Sequence, residues 1–339
     1  MEVIKIYNFG PINEAEVIIK DINIFIGTTS SGKSTVAKLV SIFKGPALRN
    51  GISFLQFNKL LADYNIDFKI KGDTKIRYEN NELYFEVKGQ SIDTNFPSKV
   101  STLNPIYVPA ERVFFSTISQ SIFGLINSNV SLPKWIIDFG AKFEQARNSI
   151  KKFSINFLRA SYEYNEGMDY IQLSNNIKIK LSQASSGLQS VIPLILVIQY
   201  NTENNKTGKD IFVIEEPELN LYPSSQKDLI EFIINRINQS NDKLIITTHS
   251  PYLLTTIDNL IQADQVIRGD PSLIEEVKSL IPSSYWINFE KVACYYFDNG
   301  ICRSTLDEEM QSIGPSNIDD ISTDLSKTFE KLLALKYQI

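Results

Sequence analysis

The chain has 339 residues, 43% of them hydrophobic and 22% charged, which excludes a mainly disordered chain and leaves ample apolar sequence for a full core. Its formal net charge of −5 excludes a general nucleic-acid coat protein, although a local basic patch remains open. No run of about eighteen apolar residues predicts a membrane-spanning helix, and two cysteines, Cys294 and Cys302, are too few for a disulfide framework.

Met1 to Lys5 leads straight into strand-like sequence without a leader pattern, so a cytoplasmic protein with free thiols is expected. Short β-rich runs at 2–7, 15–19 and 22–26 follow, the first two separated by the Gly10-Pro11 turn. The third run ends at a glycine loop, and Ser34 to Phe43 then has helical spacing. Strands are predicted at 74–79 and 82–88, joined at Asn80-Asn81. A buried strand at Ile106-Tyr107-Val108 leads into Pro109-Ala110-Glu111-Arg112. From 113 to 160 the spacing predicts helix, with Trp135, Ile136, Phe139 and Phe143 at i, i+1, i+4 and i+8.

Strands at 169–173 and 177–181 precede a helix from Gly187 to Tyr200. A strand at Ile211–Ile214, a helix from Ser224 to about Asn238, a strand at Leu244–Thr247 and a helix from Pro251 complete an alternation that implies a parallel sheet covered by helices. Strands near 290–297 and 301–304 meet at Asp298-Asn299-Gly300, a hairpin signal. Between Thr305 and Ser326 there are six acidic residues and no lysine or arginine, and a last helix closes the chain. Neither an internal repeat nor a long heptad segment is present.

Gly27-Thr28-Thr29-Ser30-Ser31-Gly32-Lys33-Ser34 fits the phosphate-loop pattern between a strand and a helix, with Thr35 next. Glycines let backbone amides turn inward onto phosphate oxygens, Lys33 adds positive charge, and the Ser34 hydroxyl can ligate Mg²⁺. Ile211 to Ile214 is a buried strand that ends in Glu215-Glu216-Pro217. There Glu215 is the metal-site acid and Glu216 the base for an attacking water. His249, the single histidine, ends another apolar strand and is assigned to the γ-phosphate. Ser185-Ser186-Gly187-Leu188-Gln189 opens a helix as a second phosphate nest, although Ser-Ser-Gly is also an ordinary helix cap.

These four elements in this order resemble the ABC ATPase head. Glu215 to Pro223 and Thr248 to Leu254 look most like the RecF, SMC and OLD-type ATPases and the stand-alone bacterial ATPases grouped with them. The resemblance spans about 1–260 and is strengthened by Pro109-Ala110-Glu111-Arg112. It implies an α/β P-loop NTPase fold with a mixed β lobe, a helical lobe and a parallel-sheet core. As one ABC-type domain over 1–339, the parts would be a β lobe with the phosphate loop (1–112) and a helical lobe (113–168). A lobe with the signature, Walker B and switch histidine (169–260) and a C-terminal hairpin and helix (261–339) would follow.

The resemblance further implies ATP and Mg²⁺ as ligands, with Lys33, Glu216 and His249 in catalysis. Ser185, Ser186, Gly187 and Gln189 would read the γ-phosphate bound to a second copy, and Glu218 to Asn220 would cross the dimer interface. Departures are Leu188 for the second signature glycine, glutamate for aspartate at the metal site, and Asn220 where relatives often carry histidine. The glutamine loop has no secure place; Glu111 or Arg112 stands where it would be. The span 35–184 is too short for a coiled coil, and the residues after His249 lack the acids of a nuclease domain. The implied function is a homodimeric ATPase controlling a separate effector, a nuclease or toxin, in bacterial anti-phage defence. DNA is the alternative partner, because 134–160 carries a net charge of +4, six basic against two acidic residues. A slow-turnover nucleotide-sensing scaffold is the third reading.

Overall fold

The computed structural model describes residues 1–48, 51–81, 83–96, 103–118, 132–204, 210–314, 326–333 and 336. Eleven strands form one sheet in the order β6-β5-β4-β1-β2-β15-β14-β3-β13-β12-β7. Its parallel half contains β7 (Asn104–Val108), β12 (Asp210–Glu215), β13 (Lys243–Thr248), β3 (Ile22–Gly27) and β14 (Val292–Asp298). Every residue of β3 and β12 is buried, as expected of strands covered on both faces and rich in Ile, Val and Phe. Helix α1 (Lys33–Lys44) lies across this half.

The other half is antiparallel: β1 (Glu2–Phe9), β2 (Ile12–Ile18), β4 (Lys75–Asn80), β5 (Leu83–Lys88) and β6 (Ser91–Thr94). Its strands alternate buried and exposed positions, the pattern of a sheet with one face on a core. Phe43 at the end of α1 stacks on Tyr78 of β4 at 5.0 Å, so one helix anchors both halves. The hairpin of β14 and β15 (Ile301–Ser304) joins them at the level of the sheet: β14 runs beside β3, and Ile301 pairs with Glu14 of β2.

Helix α2 (Phe54–Asp63) was not expected. Its signal is a capping box: the Ser53 hydroxyl accepts from the Gln56 amide while the Gln56 side chain accepts from the Ser53 amide. The expected helical stretch 113–160 needs correcting. It contains α3 (Val113–Ile118) and α4 (Lys134–Ser149), with 119–131 outside the described residues. From Lys152 the chain is extended: β8 (Lys152–Ile155), β9 (Ala160–Asn165), β10 (Met168–Leu173) and β11 (Lys178–Lys180) form a separate antiparallel sheet. Phe153 and Ile155 alternate with Lys152 and Ser154, a period of two that overrides the helical period upstream.

Further helices are α5 (Ser186–Asn204), α6 (Pro223–Ser240), α7 (Pro251–Gly269) and α8 (Ile274–Leu280), and residues 326–333 are helical too, where a last helix was expected. A two-stranded ribbon, β16 (Leu306–Asp307) with β17 (Ser312–Ile313), begins the acidic stretch, whose residues 315–325 lie outside the described ones. Cys294 and Cys302 are free, as expected. Among the described residues no helix is long and apolar enough to cross a membrane. Two of the six basic residues of 134–160 are paired within the chain. Lys134 pairs with Asp138, and Arg147 turns inward to Asp169, which also accepts from the Tyr162 hydroxyl.

Candidate functional site

Parallel strands deliver their C-terminal ends to one edge, where α/β folds place their ligands. In register, Glu215 lies beside Thr247, and Thr248 beside Ile26. The loop after β3 therefore meets the ends of β12 and β13.

Gly27 has φ 144°, and a Cβ there would lie 1.9 Å from the Phe297 carbonyl oxygen, so β14 leaves room only for glycine. The Thr28 amide donates to that same carbonyl at 3.1 Å, and the Thr28 hydroxyl to Asp298 Oδ1 at 3.1 Å. Thr28, Thr29 and Ser30 are exposed, while Ser31 is buried and its hydroxyl donates to the Thr28 carbonyl at 2.7 Å. Gly32 caps α1 without a side-chain partner for the helix amides, an arrangement that leaves them to an anion.

Lys33 is buried, its Nζ 3.1 Å from the Gly27 carbonyl and 2.7 Å from that of Thr28. Burial pushes its pKa down to about 8 against the opposing pull of Glu216 and Glu218. Ser34 is half-buried in the first turn of α1, and Thr35 is buried beside it.

Glu215 is buried at the end of β12, and its Oε1 has no hydrogen-bond donor; nor has the buried Thr247 hydroxyl next to it a partner. Glu216 takes φ 42°, a left-handed turn, with its amide donating to the Thr247 carbonyl at 2.9 Å. His249 Nε2 stands 3.6 Å from Glu216 Oε1. Burial, then the charge of Lys33, holds the imidazole below the usual histidine range, with Glu216 and the Gly27 backbone pulling the other way. At neutral pH His249 is therefore uncharged.

Two contributions went unforeseen. Glu218 accepts from the Thr248 hydroxyl at 2.7 Å and the His249 amide at 2.9 Å, tying the turn after β12 to the end of β13. Burial raises its carboxyl pKa. Arg112, wholly buried after β7, bonds the carbonyls of Glu215 at 2.7 Å and Glu216 at 2.6 Å. The signal for both was proximity to strand ends: Arg112 directly follows a buried strand, and Glu218 follows the acid pair.

Ser185 and Ser186 are exposed at the start of α5, and Gly187 is buried. A Cβ on Gly187 would lie 2.7 Å from the Asn220 carbonyl oxygen, so this turn packs on the loop after Glu218. The Gln189 side chain turns back, donating to the Ala184 carbonyl at 2.8 Å and accepting from the Ser116 hydroxyl at 2.9 Å. The structure thus brings together Gly27–Thr35, Glu215, Glu216 and His249. The hydrogen bonds of Ser185–Gln189 run to other partners, none within 27–35 among the described residues.

The buried Glu215 carboxylate, on the same sheet edge as the phosphate loop, suits a hard cation. No three His, Cys, Asp or Glu side chains converge on a metal position among the described residues. A cation here would rely on Ser34, Glu215 and phosphate oxygens together.

Residues 115–254 match the family model of an AAA ATPase domain. The matched span, less than half of the chain, holds Glu215, Glu216 and His249 but not the Gly27–Thr35 loop, and in that span the chain is similar to ATPases of this type. Among curated proteins it is similar to the "Retron Ec83 probable ATPase" of Escherichia coli, 31% identical over 99 residues, 27% of this chain and 18% of the relative. The "Retron Vc95 probable ATPase" of Vibrio cholerae serotype O1 biovar El Tor is 26% identical over 118 residues, 33% of this chain and 23% of that one. The matches thus span less than a quarter of either relative's length. Of solved structures, the SMC head domain from Thermotoga maritima aligns over 91% of this chain and all of its own, with 12% identity and a TM-score of 0.44.

Proposed function

We propose that the chain binds ATP with Mg²⁺ at the Gly27–Thr35 loop, hydrolyses it through Glu216, and does so in a homodimer whose second copy completes the site. The observation that carries this reading is the convergence of Lys33, Glu216 and His249, with His249 3.6 Å from the Glu216 carboxylate. Backbone amides of the loop and of the first turn of α1 would hold the phosphates, with Lys33 leaving its carbonyl partners for the β- and γ-phosphates. Ser34 and Glu215 would hold the Mg²⁺, which supplies charge neutralisation on the phosphates. Glu216 would take the proton of the attacking water, and the uncharged His249 would face the γ-phosphate with the N–H of one ring nitrogen.

Exposed Ser185 and Ser186, with no bond to their own chain's loop, support their use on the nucleotide of a second copy. The resemblance to stand-alone bacterial ATPases supports control of a separate effector, a nuclease or toxin, in anti-phage defence, and two curated relatives carry the name retron probable ATPase. The test is Glu216→Gln. Phosphate release should fall by at least about 100-fold while ATP stays bound and a dimer accumulates. An unchanged rate of release would refute the assignment.

A further inference from the structure

Among the described residues Arg112 is the largest wholly buried side chain. Its five N–H groups meet five main-chain carbonyls: Nε donates to Ser190 at 3.1 Å, Nη1 to Pro109 at 3.0 Å and Glu215 at 2.7 Å, and Nη2 to Glu216 at 2.6 Å and Pro217 at 3.2 Å. None of these partners is a carboxylate. Burial lowers its pKa to about 10, leaving it charged at neutral pH, with Glu218, Glu216, Glu215 and Glu111 balancing it at longer range.

A buried cation is costly to keep, and packing alone would be served by an apolar side chain. This one reaches two separate segments besides its own. Ser190 lies in the second turn of α5, the helix that opens with Ser185–Gln189. Glu215 to Pro217 form the acid turn, where Glu216 holds a positive φ that a residue with a Cβ resists. The Ser116 hydroxyl, one helical turn beyond Arg112, adds a second tie to the Gln189 side chain.

We infer that Arg112 is a positioning residue that couples the start of α5 to the Glu215–Pro217 turn, so that nucleotide engaged by Ser185–Gln189 of one protomer sets the placement of that protomer's own Glu216. The inference rests on the proposed composite site and adds a route between its two copies. The coupling is mechanical: α5 cannot shift away from Arg112 without drawing on the carbonyls that fix the acid turn. A lysine has three donors on a point charge and cannot span these acceptors.

The test uses the full chain with Arg112→Lys, read by steady-state kinetics and by amide exchange without nucleotide. The expected kcat falls roughly 100-fold, the cost of a misplaced catalytic group, while KM for ATP moves less than about threefold. Amides of 188–194 and of 216–221 should both exchange at least about tenfold faster, with β13 unchanged. Should Arg112→Lys fail to fold, Ser116→Ala removes the second tie, and faster exchange at 188–194 with a lowered kcat is expected. For Arg112→Lys, faster exchange in only one of the two segments overturns the inference, and for either variant a uniform rise across the protein or an unchanged kcat does so. If the unaltered protein shows no turnover, the hydrolysis reading fails by itself, and the exchange of the two segments still decides the coupling.

Discussion

Lys33 sits with its ammonium turned onto the carbonyls of Gly27 and Thr28, in a buried position that lowers its pKa to about 8. Phosphates arriving beside it favour the charged form, so binding ATP raises that pKa and, above pH 8, takes up a proton. The sign follows: affinity for ATP should fall as pH rises past 8, by up to about tenfold per pH unit. Titration of a fluorescent ATP analogue at increasing pH measures this, and Lys33→Ala should bind weakly with no such slope. Affinity that stays flat well above pH 8 would contradict it. His249 has the opposite consequence. Its pKa lies below the ordinary histidine value, so the imidazole is mostly neutral at pH 7, and hydrolysis should hold steady on acidification to about pH 6.5. A pH–rate profile that declines from pH 7.5 downward would show a charged imidazole instead. At this scale the sequence was most legible, because the phosphate loop, Glu215-Glu216 and His249 each follow a run of apolar strand residues. Arg112 was legible only as a neighbour of the site. Its partners are main-chain carbonyls up to 105 positions away, and carbonyls carry no side-chain signature in a sequence.

Among the elements, α5 is set by what its first turn touches. Alanine ordinarily favours a helix over glycine by about 1 kcal/mol, yet a Cβ at Gly187 would press within 2.7 Å of the Asn220 carbonyl and 3.3 Å of Leu221. Main chain cannot yield as a flexible side chain would, so Gly187→Ala should destabilise by about 1–3 kcal/mol. Thermal unfolding should show Tm lowered by a few degrees; a raised Tm would mean that the two segments do not meet as described. The same scale holds the largest misreading, the strand Lys152–Ile155 inside the stretch expected to be helical. Trp135, Ile136, Phe139 and Phe143 set a helical rhythm, and extending it past Ile150 ignored the two-residue rhythm of Phe153 and Ile155. Arg159, with φ 48°, makes the turn that pairs Ile155 with Ala160, a conformation no helical spacing foreshadows.

For the molecule as a whole, the least legible feature was the place of the C-terminal hairpin. Asp298-Asn299-Gly300 announced a turn, but nothing local says that β14 lies beside β3, some 270 residues earlier, or that Phe297 and Asp298 brace Thr28 of the phosphate loop. Parallel pairing depends on strands brought together only by the folded chain. The hairpin leaves the loop supported on one side by β14 and on the other by β13, and Ser185–Gln189 unengaged with it. The central claim is that two copies complete each other's sites, and mixing two disabled variants tests it directly. Lys33→Ala removes the loop's charge and Ser186→Arg blocks the surface offered to a partner; each alone should be nearly inactive. Mixed in equal amounts, they form dimers in which one site draws Lys33 from one copy and Ser186 from the other. Phosphate release should then recover to about a quarter of the unaltered rate, one intact site in half of the dimers. No recovery on mixing, or full activity of Ser186→Arg alone, would contradict the account.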